Sequence, residues 1–388
     1  MEAFLTVNSG SSSLKLGLFA EDLSTLAMCH VDRIGRREAA MKIRDAAGAA
    51  LPMPDHAPKA FATNTQALRT ALEVFQADFP GLEVIGIGHR VVHGGISHGE
   101  PVRLTEVVMK ELARLAPFAP LHQPHNLAGV RAASELFGLV PQVACFDTAF
   151  HRGHPFVNDA YALPRKYYEQ GVRRYGFHGL SYDYIAGTLA QTDPDLHAGK
   201  VVVAHLGSGA SMCAISGGKS IDSSMGFTVL DGLPMGTRTG QLDPGVMLYM
   251  LQTEGMDAGQ LTDLVYKQSG LLGLSGVSND MRTLETSDDP HAAEAIAYFC
   301  ARIRREVAGL AASMGGLDGL VFCGGIGENS SRVRAEVCEG LDWLGVSIDG
   351  DRNVQGARDF GTGKVRVMMI PTNEEIIIAR AAKKVLAS

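Results

Sequence analysis

A strand-like run, a turn of glycine and serine, and a second strand-like run occur twice in this chain, once in each half. The first turn spans residues 8–13, Asn-Ser-Gly-Ser-Ser-Ser, between the apolar runs 4–7 and 14–19. The second turn spans residues 205–211, again between two apolar runs. Short apolar runs on either side of a glycine-rich turn predict β-hairpins. The second half of the chain therefore restarts with a hairpin of its own.

Both turns carry groups that suit a phosphate. Glycine and serine expose backbone N–H groups and hydroxyls, and Lys15 adds a positive charge beyond the first turn. Ordinary hairpins share this composition, so one such turn alone would not distinguish a site. A third glycine turn, at 324–330, follows the apolar run 320–323 and opens a helix, which lets backbone approach a nucleotide closely. The chain contains no GxxxxGK[ST] motif, so this is not a Walker-type phosphate loop.

Hairpin, hairpin and strand–glycine–helix is the arrangement of the superfamily of sugar kinases, chaperone ATPases and actin, which this chain resembles. More specific segments resemble those of the acetate kinase family, in the family's order and over nearly the whole chain. They are Gly88–Gly95, Pro120–Pro124, Phe146–His151, Tyr175–Gly179, Met235–Arg238 and Pro371–Glu375. Departures from the family pattern are mild and bear on substrate preference more than on activity. They are Gln123 and Ser208, each where asparagine is usual, and Gln241-Leu242 in place of Asp-Ile.

Strand-like and helical patterns alternate along the 388 residues, which favours an α/β fold of two domains. The resemblance narrows this to a two-domain duplicated actin-like (ribonuclease H-like) ATPase fold with an active-site cleft between the domains. We expect residues 1–150 to form the domain for the acyl substrate and phosphate. Residues 151–372 would form the nucleotide-binding domain, and the helix at 373–388 would pack back on the first.

The last helix begins at Thr372-Asn373-Glu374-Glu375, where Thr372 and Glu375 stand at capping-box spacing. In that arrangement Glu375 folds back onto the N-cap residue, and Glu374 is left for other chemistry. Periodicity predicts further elements elsewhere. The helices are expected near 63–79, 105–115, 124–137, 244–251 and 290–312, and the strands near 84–92, 140–146 and 364–370.

Four residues are predicted to be catalytic, and each has a structural alternative. Arg90 lies in an apolar strand, so it either pairs with a carboxylate or reaches a cleft, and the residues alone favour neither. Asp147 ends a strand, where α/β folds present catalytic groups, although an Asx turn with Thr148 is the alternative. Arg238 lies in a glycine-rich loop, which favours a cleft over a core position, and its guanidinium can hold two phosphoryl oxygens. His178 is flanked by glycines, and a structural histidine is its alternative. The resemblance assigns the two arginines to substrate and phosphoryl charge, His178 to transition-state charge, and Asp147 to catalysis.

The resemblance also implies substrate, metal and nucleotide residues. Arg90 and His122 would bind the acyl substrate, with a structural role for His122 as its alternative. Asn8 and Glu374 would be associated with Mg²⁺, directly or through water, with Mn²⁺ as a substitute; the alternatives are a turn asparagine and a helix-start acid. A helix cap at Asn279 or Asp280 competes with the nucleotide role of 280–282. The residues expected to bind ATP or ADP are Ser11, Ser13, Lys15, His205, Leu206, Gly207, Ser208, Gly209, Asp280, Met281, Arg282, Gly325, Ile326, Gly327, Glu328 and Asn329.

Histidine and cysteine invite a zinc interpretation that we reject. The histidine pairs are His89/His93, His122/His125 and His151/His154. The first pair falls on a predicted strand, where a four-residue step lacks the one-face spacing of a helical zinc motif, and no cysteine or carboxylate completes any pair. The six cysteines form no CxxC pair, so we expect reduced, buried thiols in a cytoplasmic protein.

Charge and hydropathy exclude other classes. A net charge of −7 disfavours nucleic acid as a partner, since phosphate backbones demand a basic face. No apolar stretch is long enough to cross a bilayer, and the first residues lack the basic region of a signal peptide. The resemblance implies a homodimer.

The resemblance implies reversible, Mg²⁺-dependent phosphoryl transfer from ATP to acetate, giving acetyl phosphate and ADP by direct in-line attack. A short carboxylic acid is ionised at neutral pH and needs no general base, so the task is to neutralise charge between two anions. A propionate or butyrate kinase of the same family is the alternative. An ATP-driven chaperone or filament protein would need a substrate-binding appendage or a polymerisation surface, and the sequence offers neither.

Overall fold

The computed structural model describes residues 1–10, 13–120 and 122–387 of the chain. The chain divides into two compact units. Unit 1 comprises Met1–Phe150 and Asn373–Ser388, and unit 2 comprises His151–Thr372. Each unit contains a mixed β-sheet and helices, so the predicted α/β class is confirmed.

Unit 1 has a sheet of order β4-β3-β2-β1-β5-β7-β6. Its strands are β1 (Glu2–Ser9), β2 (Ser13–Ala20), β3 (Thr25–Asp32), β4 (Ala40–Asp45), β5 (Glu83–Val91), β6 (Val102–Arg103) and β7 (Gln142–Phe146). Its helices are α1 (Asn64–Asp78), α2 (Glu106–Arg114), α3 (Gln123–Phe137) and α16 (Glu374–Leu386). Leu5, Leu16, Leu68, Phe75 and Ala133 are buried in its core, where α1 and α3 cover the sheet.

Unit 2 has a sheet of order β10-β9-β8-β11-β12. Its strands are β8 (Lys200–Leu206), β9 (Ala210–Ser216), β10 (Lys219–Ser223), β11 (Gly319–Cys323) and β12 (Arg366–Met369). Its helices are α4 (Phe156–Asp159), α5 (Arg165–Glu169), α6 (Gly179–Thr192), α7 (Pro194–Ala198), α8 (Pro244–Gln252), α9 (Ala258–Lys267), α10 (Gly270–Ser275), α11 (Met281–Glu285), α12 (Pro290–Met314), α13 (Gly324–Asn329), α14 (Ser331–Cys338) and α15 (Gly350–Val354). Short 3₁₀ turns occupy Ala116–Phe118, Ala149–His151 and Asp342–Leu344.

The two sheets share one topology. In unit 1, β3-β2-β1-β5-β7 reads antiparallel, antiparallel, parallel, parallel. In unit 2, β10-β9-β8-β11-β12 reads the same way. Both predicted hairpins are present, as β1–β2 and β8–β9. The third glycine turn, predicted to precede a helix, is itself helical and forms α13 directly after β11. The predicted duplication is therefore confirmed.

Two glycines of β5 let α16 lie against the sheet of unit 1. A β-carbon at Gly88 would lie 2.5 Å from Cγ2 of Ile378, and one at Gly86 would lie 2.5 Å from Cδ1 of Leu386. Alternate residues of a strand share a face, so Gly86, Gly88 and Arg90 point to the same side of β5. The close approach thus brings the start of α16 to the side chain of Arg90.

The cysteines and the helices bear on two further expectations. All six cysteines are buried and free of disulfides, as predicted. Within the described ranges, no helix combines the length and apolar character needed to cross a bilayer.

Candidate active site

Arg90 on β5 and Asp147, directly after β7, form a two-point ion pair in unit 1. Nε of Arg90 donates to Oδ1 of Asp147 over 3.0 Å, and NH2 donates to Oδ2 over 2.5 Å. Only 1% of the Asp147 side chain is exposed. Burial acts to lower the pKa of Arg90, but the carboxylates of Asp147 and Glu374 outweigh it and raise that pKa above its ordinary value. The pairing with a carboxylate, one of the two alternatives for Arg90, is present, and the partner is itself a predicted catalytic residue. The role of Arg90 at a cleft stays a prediction.

Asn8 and Glu374 complete this cluster. Oδ1 of Asn8 accepts from NH1 of Arg90 over 3.2 Å, and Oε2 of Glu374 lies 4.0 Å from Nε of Arg90. Burial and the charge of Glu374 together raise the pKa of the neighbouring Glu375. Lys15 lies opposite Asn8 across the β1–β2 hairpin and is exposed. Residues from β1, β5, the end of β7 and the start of α16 therefore meet at the carboxyl ends of these three parallel strands.

The start of α16 differs from the predicted capping box. Its N-cap is Asn373, whose Oδ1 accepts from the N–H of Ile376 over 3.1 Å. Thr372 lies outside the helix, and its N–H donates to the side chain of Glu328 over 3.1 Å. Asparagine is a stronger N-cap than threonine, so the helix begins one residue later than the spacing suggested. The assignment of Glu375 to the cap is therefore wrong, and Glu374 and Glu375 both belong to the first turn.

Other unit 1 predictions lie on neighbouring elements. Ser11 falls outside the described residues. Ser13 begins β2, and its carbonyl accepts from the N–H of Gly10 over 2.8 Å. His122 occupies the N-cap position of α3 and is half-buried.

Two asparagines that the sequence did not single out hold the start of the first turn. Nδ2 of Asn126 donates to the carbonyl of Ser9 over 2.6 Å, and Nδ2 of Asn64 donates to its hydroxyl over 2.7 Å. Ser9 itself is buried. An asparagine far away in the sequence carries no local pattern that would mark it as a clamp on this turn.

Unit 2 contains a cavity of about 550 Å³ between its two glycine turns and the segment that opens α11. Three predicted nucleotide segments that are far apart in sequence therefore meet. The predicted residues that line the cavity are Gly207, Ser208, Asp280, Met281, Arg282, Gly325, Ile326 and Asn329. Asp280 also caps α11, since its Oδ1 accepts from the N–H of Arg282 over 2.9 Å, so the competing helix-cap interpretation of this segment is realised as well.

The remaining predicted nucleotide residues of unit 2 do not line this cavity. Leu206 is fully buried, and Gly327 is also buried. Oε1 of Glu328 accepts from the N–H of Gly324 over 2.9 Å, so this carboxylate braces the third turn. The ring of His205 stacks on a second histidine, at position 178.

His178, Gly209 and Arg238 lie together at the second turn. A β-carbon at Gly209 would lie 3.4 Å from Nε2 of His178 and 3.9 Å from NH1 of Arg238. Nδ1 of His178 hydrogen-bonds the hydroxyl of Ser211 over 2.8 Å, and its ring stacks on His205 with centroids 4.3 Å apart. The backbone of His178 is left-handed, with φ of 56°, which costs of order 1–3 kcal/mol and persists only where its surroundings enforce it.

The loop that carries Arg238 is closed and tightly packed. The N–H of Met235 donates to the carbonyl of Arg238 over 3.0 Å, and NH1 of Arg238 donates to the carbonyl of Val229 over 3.0 Å. A β-carbon at Gly270 would lie 2.0 Å from the carbonyl oxygen of Met235, so only glycine fits beneath the loop. The backbone that carries the Arg238 guanidinium is therefore held in one conformation.

Arg334 is a further residue that sequence reasoning missed. Its guanidinium is buried and donates to the carbonyls of Gly327 and Glu328 over 2.9 and 3.0 Å. Nε donates to Oδ1 of Asn353 over 2.7 Å. These bonds satisfy carbonyls of the last turn of α13, which would otherwise lack partners. Arg334 thus stabilises the third glycine turn by binding the backbone carbonyls near its end.

His89, His151 and His154, which belong to the rejected zinc pairs, show the contacts of structural side chains. His89 is buried, and its Nε2 hydrogen-bonds Oε1 of Gln142 over 2.6 Å. Burial lowers the pKa of His89 to about 4. His151 and His154 both contact the hydroxyl of Ser220. Among the residues that the structure covers, no three His, Cys, Asp or Glu side chains cluster as a metal site.

Known proteins resemble this chain over its full length. The family model described as "Acetokinase family" matches residues 3–380. An acetate kinase from Methylocella silvestris is 52% identical over 390 residues, which cover 97% of this chain and 96% of that protein. The crystal structure of Porphyromonas gingivalis acetate kinase has a TM-score of 0.87 at 35% identity and covers all of both chains. A propionate kinase from Francisella tularensis has a TM-score of 0.91 at 33% identity, with 99% of this chain and all of that chain covered.

Proposed function

The chain belongs to the acetokinase family, and we propose that it transfers the γ-phosphoryl group of ATP reversibly to acetate, giving acetyl phosphate and ADP. It is a phosphotransferase with a carboxyl group as acceptor. The observation that carries the proposal is the cluster of Arg90, Asp147, Asn8 and Glu374 in unit 1, in a chain whose unit 2 has a cavity between glycine turns.

Unit 1 is proposed to bind the acceptor. Acetate is ionised at neutral pH, so it attacks phosphorus without a general base. Asp147 holds Nε and NH2 of Arg90, and Asn8 takes one N–H of NH1. Because a guanidinium has five N–H donors, N–H groups remain that can bind a carboxylate. His122 is proposed as a second acceptor-binding residue.

Unit 2 is proposed to bind ATP and the transferred phosphoryl group. The glycine turns at 207–209 and 324–329 offer backbone close to the phosphates, and residues 280–282 border the adenosine. Arg238 and Nε2 of His178 would donate to phosphoryl oxygens, since both lie beside Gly209. Fixed donors of this kind stabilise the charge of the transition state without rearrangement.

The oxygen atoms of Asn8 and Glu374 fit Mg²⁺. They offer an amide oxygen and a carboxylate, which are hard ligands, and Mg²⁺ usually takes one or two protein ligands besides water and phosphate. The carbonyl oxygen of Asn8 has two lone pairs, so its bond to Arg90 leaves one for the ion. Bound there, the ion would neutralise charge on the β- and γ-phosphates; Mn²⁺ has the same ligand preference.

Glu374→Gln is expected to lower turnover by roughly 10²-fold and to raise the Mg²⁺ concentration needed for half-maximal rate, because an amide binds a hard cation more weakly than a carboxylate. Glu375→Gln is the matched control, one residue along the same helical turn. A magnesium titration of both variants measures the difference. Equal shifts in the two variants would remove Glu374 from its proposed role.

The proposed reaction is tested by ADP release with acetate, propionate and butyrate compared side by side. Acetate should give the highest kcat/KM, followed by propionate and then butyrate, since one methylene is worth about 1–3 kcal/mol in a pocket. A preference for propionate or butyrate would change the proposed substrate, but the protein would still be an acyl kinase. ATP hydrolysis that none of the three acids stimulates would reject the class.

The direct, in-line course is tested with ATP made chiral at the γ-phosphorus. A single displacement inverts the configuration, so acetyl phosphate should carry inverted phosphorus. Net retention would mean two displacements through a phospho-enzyme, with Glu374 or a histidine as the carrier.

We propose a homodimer in which α8 lies in the interface. None of its residues, all of which the structure describes, is buried, and it exposes four large apolar side chains. They are Val246, Leu248, Tyr249 and Leu251, with Leu242 just before the helix. An apolar surface of this kind on a folded unit favours coverage by a second protein surface.

Leu248→Glu is expected to yield a monomer, because a carboxylate in an apolar interface loses its hydration. Val354→Glu, at a more exposed apolar residue on α15, is the control and should stay dimeric. Light scattering after gel filtration gives the mass directly. A Leu248→Glu protein with twice the chain mass would exclude α8 from the interface.

We also propose a cytoplasmic location, where ATP is available. The six cysteines support it, since all are buried thiols. Burial raises the pKa of Cys29 to about 12, so the thiol stays protonated and unreactive. Reduced structural thiols are typical of that compartment.

A further inference from the structure

The backbone of His178 is held from outside its own helix. Nε2 of His151 lies 2.9 Å from the carbonyl of Phe177, the residue just before His178. The ring of His151 also fills the space above Gly176, where a β-carbon would lie 2.6 Å from Cδ2 of the imidazole. Gly176 has φ of 70°, and His178 has φ of 56°. One buried side chain therefore fixes both ends of a segment with two left-handed residues.

Hydrogen bonds determine which nitrogen of His151 carries the proton. A carbonyl only accepts, so Nε2 of His151 must donate to Phe177. Nδ1 is then an acceptor, and the hydroxyl of Ser220, 2.8 Å away, donates to it. Since that hydroxyl has one hydrogen, Nε2 of His154, 2.7 Å from the same oxygen, must donate to Ser220. The chain of donors runs from His154 through Ser220 and His151 to the carbonyl of Phe177.

The same side chain also supports the ring of His178. The ring of His151 lies edge-on to Tyr182, with centroids 5.6 Å apart. The hydroxyl of Tyr182 lies 2.5 Å from Oγ of Ser211, which lies 2.8 Å from Nδ1 of His178. His151 is fully buried, and burial lowers its pKa to about 3, so it stays neutral and keeps this arrangement at ordinary pH.

We propose that His151 is a positioning residue for phosphoryl transfer, which acts by holding His178 in the left-handed conformation that places Nε2 beside Gly209 and Arg238. This inference rests on the function proposed above. His151 itself is buried away from the reactants, so it touches no reacting atom and acts only through His178.

Two substitutions at position 151 test the donor. His151→Leu removes it, and kcat should fall roughly 10- to 100-fold while KM for ATP and for acetate stays within about threefold. His151→Gln offers an amide N–H in place of Nε2–H and should restore at least about tenfold of that loss. His154→Leu is the matched control, because without His154 the Ser220 hydroxyl can still donate to Nδ1 of His151 and Nε2 of His151 can still donate to the Phe177 carbonyl. A glutamine variant no faster than the leucine variant would overturn the proposal.

A double-mutant cycle with His178→Ala separates positioning from general stability. If His151 acts only through His178, His151→Leu should change kcat by less than about threefold in the His178→Ala background, although the melting temperature still falls. The same loss in both backgrounds would show that His151 acts by another route, and the proposal would be wrong.

A spectroscopic measurement decides the matter without activity. In ¹H–¹⁵N spectra of the imidazoles at neutral pH, His151 should be the Nε2–H tautomer, and the His178 ring signals should move in His151→Leu, much less in His151→Gln, and not in His154→Leu. An Nδ1–H tautomer of His151, or unmoved His178 signals, contradicts the inference. A wild-type protein that phosphorylates no carboxylate would refute the proposed function instead, and these spectra would still report on His151.

Discussion

Arg238→Lys is expected to lower kcat by roughly 10²–10³ with little change in the free energy of unfolding. The guanidinium already donates through NH1 to the carbonyl of Val229, and its loop is closed by the bond from Met235 to the Arg238 carbonyl. A planar fork held in this way can present parallel N–H groups to two phosphoryl oxygens. A lysine ammonium is a point charge on a flexible stem and cannot make both contacts in one geometry.

The measurement is kcat and KM for ATP and acetate, alongside urea denaturation. Arg366→Lys is the control, because Arg366 is a surface arginine paired with Asp193 and Asp359 and has no proposed role in catalysis. Its kcat should equal that of the wild type. Near-normal turnover in Arg238→Lys would exclude a bidentate catalytic role for Arg238.

Asp147→Asn should also lower kcat by roughly 10²–10³, for a different reason. The amide keeps the shape of the carboxylate but puts an NH₂ group against a nitrogen of Arg90, donor against donor. Arg90 then leaves the orientation that its two-point pairing enforces, and its charge is no longer balanced. The free energy of unfolding should fall by about 1–3 kcal/mol, since a buried charged group loses a hydrogen-bonded partner.

Asp159→Asn separates the two effects. Asp159 is buried in unit 2, where it accepts from Arg173 over 3.2 Å and from the Tyr168 hydroxyl over 2.9 Å. The Asp159→Asn variant should lose a similar amount of unfolding free energy and keep the wild-type kcat. If Asp147→Asn and Asp159→Asn lose the same fraction of kcat, Asp147 matters only for folding.

Local sequence patterns were sufficient to predict the two hairpins and the helix that follows β11. The hairpins β1–β2 and β8–β9 follow from alternating apolar residues around glycine-rich turns, and α13 follows from the glycines at the end of β11. These features depend on neighbours within a few residues. Their predicted bounds therefore agree with the structure to within a few residues.

Contacts between distant residues could not be predicted in the same way. Arg90 meets Asp147, 57 residues later, because β5 and β7 pair in parallel with Arg90 opposite Cys145. No local pattern states that register. The resemblance selected both residues as catalytic, but not that each is the other's partner.

The cap of α16 shows how tertiary contacts decide between local alternatives. Thr372 and Asn373 can both serve as an N-cap, and the spacing to Glu375 favoured Thr372. The backbone of Thr372 bonds to Glu328 instead, so Asn373 takes the position. The left-handed backbone of His178 is a similar case, because its support comes from His151, 27 residues earlier in the chain.

The division of the chain between the units determines the order in which they can complete their folding during synthesis. Unit 2 is one continuous segment, whereas α16, which covers β5 of unit 1, follows it in the chain. On the ribosome, unit 2 can fold as soon as it has emerged, in keeping with the general tendency of domains to fold as units during translation. Unit 1 must wait with one face of β5 uncovered. Since Glu374 arrives on that same helix, a nascent chain acquires its last proposed metal ligand and its last layer of packing in a single step.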